Sequence, residues 1–285
     1  MLIKNIRKSI NDIIEDEGTI KNIVDGVDIF KISKSQESVK QCYKKGIIFI
    51  FQGKKEILNE NSILTYDENN YLILSIATPV ECRVYAEDDK PILGLRIDAD
   101  QKIINDILFN SNISYSNESK PGIYTESLNN NLLDSLNRLI NCFNNEEYSK
   151  ILAPLYIKEI LYFVLKSPHG YALNYSSYYN ENYYSISKIA DDIYINYKEK
   201  YDINTLAKTA NMSTSYFHNF FKEITGMSPI QYVKKIKLHK ARELLLSPKI
   251  TAKSVAYEVG YDSLSQFNRE YKRMFGHTPK DECHI

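Results

Sequence analysis

Along the first third of the chain, apolar and polar residues change places at short intervals. Ile47–Phe51 is an unbroken β-branched and aromatic run that ends at Gln52-Gly53-Lys54, a turn signal, and Tyr71–Ile76 is a second such run. Val80, Cys82 and Val84 alternate with Glu81, Arg83 and Tyr85, and Leu93, Leu95 and Ile97 alternate with Gly94, Arg96 and Asp98. A period of two, broken at turns such as Asp88-Asp89-Lys90-Pro91, predicts a compact antiparallel barrel or sandwich over about 28–97. Beyond Asp98 the period becomes helical. Ile103, Ile104, Ile107 and Leu108 share one face, and Leu128, Leu132, Leu136, Leu139, Ile140 and Phe143 share another. Residues 110–122 read as a loop. A further helix is expected from Pro154 to about Leu165, with the proline in its first turn. The stretch from Ser167 to Tyr184, with Pro168, Gly170 and a Ser/Asn/Tyr cluster, reads as a linker, which predicts domains at 1–175 and 176–285.

After Ser185 the pattern is helical, starting with Ile186, Ile189, Ile193 and Tyr197, and then it repeats. Leu206, Ala207 and Ala210 match Val255, Ala256 and Val259 at an offset of 49. Phe217, Phe221, Lys222, Gly226 and Pro229 match Phe267, Tyr271, Lys272, Gly276 and Pro279 at an offset of 50. One unit is built twice, with a residue added in its turn. Each copy reads as a short helix, a tight turn and a second helix. Asn211-Met212-Ser213 and Gly260-Tyr261-Asp262 form the turns, Ser213 and Asp262 are the expected N-caps, and Gly260 suits a positive φ. The second helices each have two faces. Phe217, Phe221 and Ile224 point inward, as do Phe267, Tyr271 and Met274. Ser215, His218, Asn219 and Lys222 point outward, as do Ser265, Asn268, Arg269 and Lys272, with Leu264 and Gln266 at the leading turn. Such polar groups can pair with base edges, and the lysines suit phosphates.

Between the copies, Ser228-Pro229-Ile230-Gln231 is a capping box that opens a helix running to about Leu246. Ile230, Val233, Ile236 or Lys237, Ala241 and Leu244 fall at helical spacing, and Lys234, Lys235, Lys237, Lys240 and Arg242 decorate it. A stiff spacer of this kind would set two reading heads in adjacent major grooves, roughly 34 Å apart.

Charge sharpens this picture. The chain has 285 residues and no formal net charge, but residues 203–280 carry 13 Lys+Arg against 5 Asp+Glu, whereas 1–184 carry 20 against 25. Only the C-terminal end suits a polyanion. The four cysteines are scattered without a CxxC pair, which suits a reducing cytoplasm. Apolar runs such as Ile47–Phe51 fall far short of a membrane span, and the N-terminus lacks a secretory h-region, so no membrane partner is expected. All five histidines lie beyond residue 168, so the strand region lacks the ligands of a metal-dependent cupin. No nucleophilic triad can be assembled there, and neither GxGxxG nor a Walker loop occurs. No catalytic residue, metal or cofactor is implied. A barrel mouth could still hold a small molecule, with Tyr43, Phe49, Phe51, Tyr66, Tyr71, Arg83, Tyr85 and Arg96 as candidate lining residues and Cys42 and Cys82 as candidate thiol sensors.

The segments Leu206–Lys222, Ser228–Val233, Lys240–Leu245 and Val255–Gly276 resemble the DNA-binding domain of AraC/XylS-type transcription regulators. Ile47–Gly53, Tyr66, Tyr71–Ser75, Thr78–Val80 and Pro91–Ile97 resemble the N-terminal domain of an AraC-type subgroup. The resemblance implies a cupin-like antiparallel β-barrel with following helices, then an all-α domain of two helix-turn-helix units joined by a linker helix. It further implies base-reading positions at Ser215, His218 and Asn219 and at Leu264, Ser265, Gln266 and Arg269. Leu264 departs from the polar residue often found there and suits a thymine methyl instead. The expected function is a sequence-specific transcription regulator, an activator, controlled through a small-molecule effector or dimerisation. The partners are a double-stranded DNA operator, the effector, a second copy of the chain and, for an activator, RNA polymerase. Two other readings stay open: a thiol-based enzyme or sensor fused to a DNA-binding module, and an architectural protein that binds DNA without regard to sequence.

Overall fold

The computed structural model describes residues 2–59, 62–87, 89–115, 122–174, 181–246 and 250–282. The chain divides into two compact units. One comprises Met1–Val39, Lys44–Ile76 and Val80–Asn180; the other comprises Glu181–Ile285 with the short segments Lys40–Tyr43 and Ala77–Pro79. The expected boundary at 175/176 falls outside the described residues.

Ten strands occur among the described residues, all in the first unit save the end of β3 and the start of β8: β1 (Gly18–Val24), β2 (Val27–Ile32), β3 (Gln36–Tyr43), β4 (Gly46–Gln52), β5 (Lys54–Asn59), β6 (Ser62–Asp67), β7 (Asn70–Leu74), β8 (Thr78–Tyr85), β9 (Ile92–Ile97) and β10 (Ile123–Ser127). They form a six-stranded sheet in the order β1-β2-β9-β4-β7-β10 and a four-stranded sheet in the order β3-β8-β5-β6. The helices of the first unit are α1 (Leu2–Ile13), α2 (Gln101–Phe109), α3 (Asn130–Cys142) and α4 (Glu146–Leu165). One face of the larger sheet is sealed by them: Ile47, Phe49, Phe51, Tyr71 and Ile73 share a core with Ile6 and Ile10 of α1, Ile104 of α2, Leu132 and Leu136 of α3, and Ile157 and Leu161 of α4. Strand alternation sends Ile48, Ile50, Leu72 and Leu74 to the opposite face, where they are also buried. With both faces covered, every residue of β9 is buried, Gly94 and Arg96 included. At Gly94 a Cβ would lie 2.1 Å from the Phe30 ring, so any larger residue would have to displace that ring.

The antiparallel sheets followed by helices match the expected fold class, with three local differences. α1 and β1 precede the expected start at residue 28; the buried pair Ile6 and Ile10, one helical turn apart, anchors α1. β10 fills the gap between the expected loop at 110–122 and the helical stripe from Leu128, recruited by pairing Ile123–Ser127 against Leu74–Asn70. α4 starts eight residues before Pro154, because Asn145 caps it by accepting from the Tyr148 N–H at 3.0 Å. Pro154 therefore sits inside the helix, tolerated on its exposed side at the loss of one backbone hydrogen bond. Glu87 and Lys90 form an isolated bridge beside the expected turn, of which residue 88 lies outside the described residues.

The second unit is helical: α5 (Glu181–Ile195), α6 (Ile203–Thr209), α7 (Thr214–Thr225), α8 (Pro229–Leu245), α9 (Ala252–Glu258), α10 (Leu264–Phe275) and the short α11 (Pro279–Glu282).

Candidate nucleic-acid interface

The two copies of the repeat superpose in their hydrogen bonds as well as their residues. The Met212 N–H donates to the Ala207 carbonyl and the Tyr261 N–H to the Ala256 carbonyl, both at 2.9 Å. Asn211 and Gly260 occupy the same turn position with φ of 55° and 77°. Asparagine tolerates the left-handed region there. Gly260 has no substitute, since a Cβ would lie 2.2 Å from the Lys198 carbonyl. Ser213 caps α7 by accepting from the Tyr216 N–H, and Ser263 caps α10 by accepting from the Gln266 N–H. The second cap corrects the expectation of Asp262. That residue is the insertion that moves the offset from 49 to 50, and its carboxylate instead pairs with Lys200 at 2.8 Å. Both second helices end at a left-handed glycine, Gly226 and Gly276.

Each second helix is anchored from below by aromatics. Phe217, Phe221, Phe267 and Tyr271 are fully buried. Ile224 and Met274 are half-buried. Above them, Ser215, Asn219 and Lys222 on α7 are exposed and His218 is partly so; Ser265, Gln266, Asn268, Arg269 and Lys272 on α10 are exposed and Leu264 partly so. The residues expected to read DNA thus lie together on two outward faces.

The spacer helix α8 is seventeen residues, about 25 Å long. Ser228 and Gln231 cap it reciprocally. It is gripped at both ends. Tyr232 is fully buried and meets Phe221 of the first head edge-on at 5.3 Å. Lys234 binds Glu270 at 3.0 Å, Lys237 donates to the Gly260 carbonyl at 3.2 Å, and Arg242 binds Glu282 at 2.7 Å. This corrects the picture of a lysine-decorated spacer. Lys235 is exposed, but Lys237 is buried and the other basic groups reach sideways into their neighbours.

Glu270 and Glu282 were not among the expected site residues, yet they organise the second head. Glu270 accepts from Tyr261 at 2.8 Å and from the Gln266 amide at 3.2 Å, so Gln266 is tied at its leading turn. Glu282 accepts from Tyr271 at 2.7 Å and pairs with His277. Burial acts to raise both carboxyls, but these hydrogen bonds outweigh it and hold them below the usual range. Glu270 was legible as an inward position three residues after Phe267; its partners were not.

His239 of α8 is 4% exposed and packs edge-on against Phe275 at 5.6 Å. Burial, aided by the positive charge of Arg242, pulls its imidazole down to about 3. The unfolded chain takes up a proton at His239 below about pH 6.5, and the folded chain does not until about pH 3. Stability contributed by the neutral ring is complete above pH 6.5 and is lost as pH falls through that window, by at most about 1.4 kcal/mol per pH unit. His239→Leu is therefore expected to flatten the fall in melting temperature between pH 6.5 and 5. The further loss below about 4.5, owed to the two depressed carboxylates, should remain. An unchanged slope in the variant would contradict the assignment.

The eight residues expected to line an effector site have different local surroundings. Phe49, Phe51 and Tyr71 pack into the helix-covered core, with the Phe49 and Tyr71 rings 5.2 Å apart. Arg96 is 8% exposed and paired with Asp28 and Asp98. Tyr85 donates to Glu56 at 2.7 Å under Lys54, and Arg83 lies opposite Glu56 in the register of the small sheet. Tyr66 is fully buried, and Tyr43, half-buried, accepts from Gln41 at 2.7 Å. The sequence reading missed Lys55. It alternates in phase with buried Ile57, opposite Tyr66, and is 4% exposed with its ammonium 5.8 Å from the Phe30 ring. Burial draws its pKa down to about 8. Of the candidate thiols, Cys82 is buried, and burial pushes Cys42 up, opposite to an activated thiolate.

Residues 23–172 match the family model for the AraC-type transcriptional regulator N-terminus, and residues 206–282 match a helix-turn-helix domain model. The chain belongs to the AraC-type transcription regulators. It is 24% identical over 240 residues to the virulence regulon transcriptional activator VirF of Yersinia enterocolitica, covering 82% of this chain and 87% of VirF. It is 28% identical over 145 residues to the regulator ExsA of Pseudomonas aeruginosa, covering 48% and 51%. The fold is shared with unsaturated fatty acid-bound ToxT of Vibrio cholerae, at a TM-score of 0.63 and 12% identity over 95% of this chain and 98% of that one. Like other AraC-type proteins, the chain is a DNA-binding transcription regulator. No described helix is long and apolar enough to cross a membrane.

Proposed function

We propose that this AraC-type regulator activates transcription by docking α7 and α10 in consecutive major grooves of one operator. Ser215, His218 and Asn219, then Leu264, Ser265 and Arg269, face base edges, while Lys222 and Lys272 face phosphates. Gln266 joins the base-facing set only in so far as Glu270 releases it. One observation carries the reading: two second helices with the same serine cap and glycine stop present outward polar faces, joined by a spacer clasped to both. Activation is supported by the likeness to VirF, and it makes RNA polymerase a partner. The first unit would bias the second through an effector or through pairing with another copy. The bound fatty acid of the ToxT relative favours an effector with an anionic head. The domain limits 1–175 and 176–285 are proposed for the two roles.

Competition binding separates this reading from charge-only binding. An operator selected from random duplexes should bind at least roughly a thousandfold tighter than unrelated DNA at physiological salt. Equal affinity for both would establish the architectural alternative.

A further inference from the structure

Tyr216 holds in α7 the position that Gln266 holds in α10. At about 100° per residue, Ser215, His218, Asn219 and Lys222 occupy one sector of α7, and Tyr216 stands about 60° beyond Asn219, on its flank. The centre of a helix in a major groove meets base edges; its flanks meet the sugar-phosphate walls. The Tyr216 side chain is 46% exposed but built into a stack. Its ring lies on Phe220 with centroids 5.5 Å apart and planes 10° from parallel, and Phe220 rests on Tyr183 of α5 at 5.0 Å. Asn182, in the first turn of α5, donates its side-chain amide to the Tyr216 phenol oxygen at 3.3 Å. That oxygen accepts from Asn182, so its own proton is the group it offers outward. A phosphate oxygen accepts and cannot donate, which makes it the complement of a phenol held in this way. At the matching place in the second head, Gln266 donates inward to Glu270.

We propose that Tyr216 contacts a DNA phosphate at the wall of the groove read by the first head, with Asn182, Tyr183 and Phe220 as its positioning residues. The inference rests on the groove-facing reading of α7 given above. Ethylation interference with the full chain and its selected operator tests it. In the wild-type protein, ethylation of one phosphate beside the first head's groove should block binding. Tyr216→Phe keeps the ring and its stack but removes the hydroxyl. It should lose interference at that phosphate alone and bind operator and unrelated duplex about 3–10-fold more weakly, with an unchanged salt slope because no charge is removed. Asn182→Ala, which leaves the hydroxyl without its guide, should weaken the same signal, with the melting temperature of both variants near that of wild type. A Tyr216→Phe protein with wild-type affinity and interference pattern would overturn the contact while leaving the reading of α7 intact. Wild-type protein with no interference anywhere on the first half-site would overturn that reading, and the contact with it.

Discussion

Phe267→Ala is expected to lower the stability of the helical unit by about 3–5 kcal/mol. The ring is fully buried, meets Tyr261 at 5.3 Å and Tyr271 at 5.6 Å, and shares its core with Val255, Ala256, Val259 and Leu238. Truncation loses the transfer energy of the ring and leaves a cavity that the surrounding aromatics, each tied to other partners, cannot close. Tyr261 is held by Glu270 and Tyr271 by Glu282, so neither can swing into the space without releasing a buried carboxylate. The chain has no tryptophan, so urea unfolding is best followed by tyrosine fluorescence and far-ultraviolet circular dichroism. A loss below about 1 kcal/mol would mean that the inward face of α10 has been misassigned.

Arg269→Ala is expected to weaken operator binding by about 1–3 kcal/mol, roughly 5- to 150-fold, and to relax base preference at one position of the site. Arg269 is exposed on α10, while its neighbour Glu270 is buried and fixed to α8 through Lys234. The guanidinium is therefore carried by a helix that cannot rotate freely about its axis, which suits bidentate pairing with a guanine. Binding to a panel of single-base operator variants checks the expectation. Uniform weakening on every sequence would assign Arg269 to the backbone instead.

The repeat was legible because its chemistry is local. A residue spacing of three and four, a serine cap, a glycine stop and a proline start are all written within a dozen positions. The same locality explains why Ser228-Pro229-Ile230-Gln231 announced α8. What lay hidden depended on distant partners. Lys237 looks like any surface lysine until the Gly260 carbonyl arrives from 23 residues away. Asp262 looks like a cap until it is seen to be the extra residue of the turn, with Ser263 in the capping position. In the first unit, the alternation in β9 placed Arg96 on the face opposite Leu95 but did not show that both faces are covered, which leaves Arg96 buried and ion-paired. Lys55 is the converse: a polar residue in apolar phase, visible in the alternation of β5 but given meaning only by the second sheet face it enters.

On this account one chain reads two consecutive grooves through α7 and α10. Hydroxyl-radical footprinting of the full-length protein on its selected operator tests this most directly. Two protected segments on one face of the duplex, centred about one helical turn or roughly 34 Å apart, are the predicted result. A single protected segment, or even protection wherever the protein is added, would contradict it.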